Sequence, residues 1–166
     1  MKKAFLTTLL TTALLAVCTA PAAAAKPHRE LASARLEAAK RRFVDHGVSE
    51  FRIGLKILNK RGLSPEQLDR LKAIFTRWVD DQLVPFLIRN DILDDWIDIQ
   101  FDPDVLRLHR EALEAMTLGD ALKIAQECDN LARARWPKVV SKISTPEWRQ
   151  LHQPLQIDMM RILEEK

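Results

Sequence analysis

Apolar residues recur along this chain at steps of three and four, and strict alternation is absent. Leu68, Leu71, Phe75 and Trp78 step by three, four and three, which lines up one face of a helix with 3.6 residues per turn. Ile92, Trp96 and Ile99 make a shorter stripe of the same kind, and Phe51, Leu55 and Leu58 another. Leu106, His109, Leu113 and Met116 predict a buried face, followed by Leu118, Ala121, Leu122, Ala125, Cys128 and Ala132 on the next helix. Trp148, Leu151, Leu155 and Ile162 complete the series.

Start and stop signals divide these stripes into elements. Ser64 is placed to cap a helix whose first residue is Pro65, with Gln67 closing a capping box. Asp102-Pro103 and Thr145-Pro146 repeat the cap-plus-proline start, and Thr117 with Asp120 gives another capping box. Gly47 is expected to stop a first helix running from about 28 to 46, and Gly62 a second. Pro85 and Pro154 predict kinks or ends, and Trp136-Pro137 a break. The pattern therefore predicts an all-α, compact bundle of about six to seven short-to-medium helices.

The N-terminus reads differently. Lys2 and Lys3 precede an apolar run over residues 4–17, then small residues with Ala23-Ala24-Ala25 as a cleavage site. That is the layout of a secretory signal peptide over residues 1–25, leaving a single domain over 26–166 and a periplasmic location. Val17 before Cys18 disfavours lipid attachment at that cysteine. The apolar run is shorter than the roughly 20 residues a membrane helix needs, so no stable membrane span is expected.

Once the leader is set aside, charge becomes uneven. Residues 26–77 carry 13 basic and 6 acidic side chains, residues 78–130 carry 4 and 13, and residues 131–166 carry 7 and 4. The totals, 24 against 23, remove the support that a basic composition would lend to nucleic-acid binding. The blocks either neutralise one another on folding or polarise a surface toward a charged partner. On the second reading, Asp91, Asp94, Asp95, Asp98 and Asp102 form an acidic face, and Arg41, Arg42, Arg52, Lys56 and Arg61 a basic one. Trp136 and Trp148, at helix boundaries, are the aromatic candidates for ligand or partner contact.

Catalytic and metal chemistry finds little footing. The acidic run lacks the glycine and glutamate of a calcium loop, since the sixth position from Asp91 is Trp96. The four histidines are scattered and none lies in a zinc-binding spacing, so neither metal nor cofactor is expected. Cys128, the one cysteine left after the leader, sits between Glu127 and Asp129, which oppose a reactive thiolate. No serine lies in a nucleophile-elbow motif, and no glycine-rich phosphate loop exists.

Leu63-Ser64-Pro65-Glu66-Gln67 resembles the L-[ST]-x-x-Q motif of small helical periplasmic chaperones of the Spy and CpxP type. A second candidate, Ser144 to Trp148, departs from it with serine for leucine and tryptophan for glutamine. The resemblance implies binding of unfolded clients or a sensor protein on a basic helical cradle. The sequence as a whole is read as an exported, non-enzymatic binding protein whose partner is another protein: a client, a toxin or an envelope component. An immunity or inhibitor protein acting through the acidic stretch is the alternative, and a carboxylate-based cell-wall hydrolase the third reading. Homodimerisation stays open.

Overall fold

The computed structural model describes residues 28–57, 62–115 and 117–164, with side chains from residue 32 onward. Residues 1–27, with the expected signal peptide and Cys18, and Leu58, Arg61 and Met116 lie outside them. Among the described residues all regular structure is helical: α1 (His28–Ile57), α2 (Pro65–Trp78), a π segment (Val79–Leu83), α3 (Val84–Arg89), α4 (Leu93–Ile99), α5 (Pro103–Glu114), α6 (Leu118–Arg135), α7 (Pro137–Ile143) and α8 (Pro146–Glu164). Because α2, the π segment and α3 run on without a break, they form one rod over 65–89, and the helical rods number seven.

The rod over 65–89 forms the middle of the molecule. Its buried face carries Leu71, Phe75, Val79, Leu83 and Phe86, none more than 1% exposed. Helix α1 covers one side and α8 the other. Each such large apolar side chain contributes roughly 1.5–3 kcal/mol by leaving water. The capping box at Ser64 is formed in both directions, and the Gln67 side-chain amide also donates to the Ile162 carbonyl at 2.9 Å. The Gln67 side chain thus accepts from the Ser64 N–H and also ties α2 to α8. Trp78 makes a second tie, its indole N–H donating to the Leu151 carbonyl at 2.9 Å.

Two expected boundaries differ. Gly47 does not stop a helix: α1 runs through it to Ile57. No described glycine has positive φ, so Gly47 has no capping geometry. Its role is proximity. A Cβ there would lie 2.6 and 2.8 Å from two ring atoms of Phe75, so the missing side chain lets α2 approach α1 closely. Pro85 neither ends nor breaks the rod. Its ring crowds the carbonyl one turn earlier and it has no N–H to donate, and the preceding turn widens to the π form, with the Val84 N–H donating to the Val79 carbonyl. Pro154 likewise lies inside α8, on the exposed side.

The stripe expected on α5 is rotated. Val105 and Leu108 are buried, whereas Leu113 is 41% exposed. On α6 the expected face holds at Ala121, Cys128 and Ala132, which are buried, but Leu118 and Leu122 face outward at 41% and 44%. The α5–α6 hairpin leans on the end of α1 through a small satellite core of Ala115 and Ala121 with Ile57 and Ile124, apart from the main core.

Candidate functional site

The acidic stretch is largely taken up by the fold itself. Asp91, at φ 53°, pairs with Lys138 at 2.8 Å, and this hydrogen bond and charge hold its carboxyl below the usual range. Asp98 pairs with Arg35. Asp102 caps α5, accepting from the Asp104 and Val105 N–H groups at 3.0 and 3.1 Å, and it faces Arg135 at 3.4 Å. Asp94 is exposed and Asp95 half-exposed, and neither forms an ion pair among the described residues. The structure therefore does not bring the five carboxylates to one partner-facing surface.

The ion pairs cross the charge blocks of the sequence. Arg35–Asp98 and Lys40–Asp80 join the first block to the second, while Asp91–Lys138, Asp102–Arg135 and Arg89–Glu147 join the second to the third. Internal neutralisation accounts for much of the unevenness.

The basic residues separate as well. Arg42 is half-buried, its guanidinium 4.7 Å from the centroid of the Phe101 ring and donating to the Gln100 carbonyl at 3.2 Å. It serves the α1–α4 joint. Arg41 is exposed beside Asp45 and Asp80. Arg52 and Lys56, one turn apart and both exposed, stand over a cleft of about 700 Å³. Ser49, Ile53 and Leu55 of α1, Gly62 and Leu63 ahead of α2, and Leu113 of α5 complete its lining. Ser49, Arg52, Ile53 and Lys56 fall at i, i+3, i+4 and i+7, so one helix face supplies both the cations and part of the apolar wall. On α6, next in sequence to the satellite-core residue Ala121, Leu122 is exposed, as is Leu118.

Trp136 and Trp148 are not surface aromatics. They are 3% and 2% exposed and belong to the main core. Trp148 packs edge-on to Trp78 at 5.9 Å and parallel to His152 at 5.7 Å. A proline at the next helix start turns the Trp136 backbone inward, so a boundary position in sequence becomes an interior one in space. Burial holds His152 down to about 4.

A polar cluster that sequence reasoning missed lies under the hairpin. The His46 and His109 rings stack at 3.8 Å, and His109 Nδ1 is 3.7 Å from Glu50 Oε1. Glu50 is buried, and its Oε2 has no hydrogen-bond partner among the described residues. Burial raises the Glu50 carboxyl, opposed by His109. Burial, then His109 and Arg42, lower His46 to about 3. Burial and the nearby Glu50 and Glu127 push the Cys128 thiol up to about 12. The signal was His46 and Glu50 at i, i+4, obscured by reading Gly47 as a stop. No three His, Cys, Asp or Glu side chains among the described residues are arranged to hold a metal ion. No helix among the described residues is long and apolar enough to cross a membrane. No family model, curated protein or solved structure matches the chain.

Proposed function

We propose that this chain is an exported, periplasmic, non-enzymatic binding protein that acts as a chaperone-like or envelope-stress binder. Its working surface is the cleft under Arg52 and Lys56 together with Leu113, Leu118 and Leu122. The observation that carries this reading is the pairing of two exposed cations with a cleft of mixed polar and apolar lining that includes the exposed Leu113. Unfolded segments offer apolar side chains flanked by carboxylates, and such a surface matches both features. The protonated state of Cys128 supports a role without thiol chemistry.

The test is suppression of aggregation of a chemically denatured, acidic client at near-stoichiometric ratios. The protein should reduce light scattering several-fold, and Arg52→Glu with Lys56→Glu should abolish most of that effect. No suppression by the unaltered protein would retire the reading. An inhibitor acting through the acidic stretch is a second reading, and exposed Asp94 is the observation that favours it. On that reading, charge reversal at Asp94 and Asp95 abolishes inhibition of the cognate toxin or hydrolase, while reversal at Arg52 and Lys56 does not.

A further inference from the structure

His46 and Glu50 lie one turn apart on α1, and His109 reaches them from α5. The His109 side chain is 11% exposed and that of Glu50 7%. The charges acting on His46 are those of His109 and Arg42. Across the cluster, α6 contributes Cys128 and Glu127, and α5 contributes Arg107 and Glu111. From the other packed elements, α2 presents the Phe75 ring at Gly47, and α4 the Gln100 carbonyl that binds Arg42.

A cation on the His109 ring would face the buried Glu50 carboxyl group, 3.7 Å away. A second proton sets two imidazolium rings 3.8 Å apart against a single carboxylate, with Arg42 already on the same side. Like charges at that separation, shielded from water, repel strongly. What yields is decided by packing. The start of α5 and the end of α6 are tied into the main core by Val105 and Ala132, whereas Ala115 and Ala121 at the hairpin tip belong to the small satellite core with Ile57. We propose that the His46–His109–Glu50 cluster is an acid-operated latch: the second proton can be taken up only when the α5–α6 tip leaves α1, so acid favours the released state. Release bares Ile57, Ala121 and Ile124 beside the exposed leucines. The latch stands whether or not the neighbouring cleft takes a client.

Hydrogen exchange at pH 7 and pH 4.5, corrected for intrinsic rates, tests it. Protection over residues 106–124 should fall at least tenfold at the lower pH, with α2 and α8 little changed. In His46→Gln with His109→Gln the fall should shrink below twofold. Equal loss in all helices, loss confined to α8 around His152, or the same fall in the double variant would overturn the latch. Should that variant fail to fold, imidazole NMR titration of the unaltered protein decides. Ring signals of His46 and His109 that titrate in step with hairpin exchange support the latch, and titration with an unmoved hairpin overturns it.

Discussion

Replacing Gly47 by alanine sets two effects of opposite sign against each other. Alanine favours a helix interior over glycine by roughly 1 kcal/mol, so propensity alone predicts stabilisation of α1. The new methyl, however, would sit 2.6 and 2.8 Å from Phe75 Cε1 and Cζ, about 1 Å inside ordinary carbon contact. Phe75 is 1% exposed and lies on the central rod, so its ring cannot swing into solvent. Overpacking of this kind costs roughly 1–3 kcal/mol, and the rigidity of this site favours the upper end. The expected net effect is a loss of about 2 kcal/mol, read as a lower urea midpoint at unchanged slope. Gly119→Ala is the matched control. The nearest atom to its Cβ is 3.7 Å away, and it should be neutral or slightly stabilising. A double-mutant cycle with Phe75→Leu should return a coupling above about 1 kcal/mol, since removing the ring edge removes the clash. A stable Gly47→Ala, or a coupling near zero, would refute the close-approach account.

Three further outcomes are expected. Between pH 8 and pH 5 the unfolded chain protonates histidines at their ordinary value of 6.5, while folded His46 and His152 wait until about 3 and about 4. Their contribution is therefore present above pH 6.5 and lost as pH falls; at pH 5 the loss is about 2 kcal/mol for each group, measurable by urea titration. Glu50 works in the opposite direction: its carboxyl is raised, so its share is present at low pH and is lost as pH rises through the folded value. A flat stability profile from pH 8 to pH 5 would contradict the buried, neutral state of both rings. Asp102→Ala should cost about 1–2 kcal/mol through its lost cap, and Asp94→Ala less than about 0.5; equal costs would count against the assignment of Asp102 as a structural residue. Cys128, moved from 9.0 to about 12, should react with a disulfide reagent at pH 8 about 1,000-fold more slowly in the folded than in the denatured protein, and rapid native labelling would show the thiol to be accessible.

The helical class, the proline starts and the capping box at Ser64 were legible because each depends on neighbours within four residues. Gly47 was not, since its reason lies in Phe75, a residue of another helix. That one reading also concealed the His46–Glu50 pair. The phase of α5 was missed by one position, since Val105, Leu108 and Ala115 face inward where the stripe of Leu106, His109 and Leu113 is expected; on α6 only Leu118 and Leu122 depart from the expected face. Trp136 and Trp148 were misplaced because proximity to a helix end says nothing about which way the chain then turns. The aspartates needed their partners' positions, which come from 33 to 63 residues away for Asp102 and Asp98.

The ion pairs that stitch the three charge blocks together also bear on the chain before it folds. A polymer with a cationic head, an anionic middle and a cationic tail draws itself inward even without structure, because each block is long enough to attract its opposite. Its denatured ensemble at low ionic strength is already contracted, and added salt should swell it, steepening the dependence of unfolding free energy on urea. The seams that fasten the finished molecule thus begin as diffuse attractions, guiding distant stretches toward each other before any helix has found its neighbour.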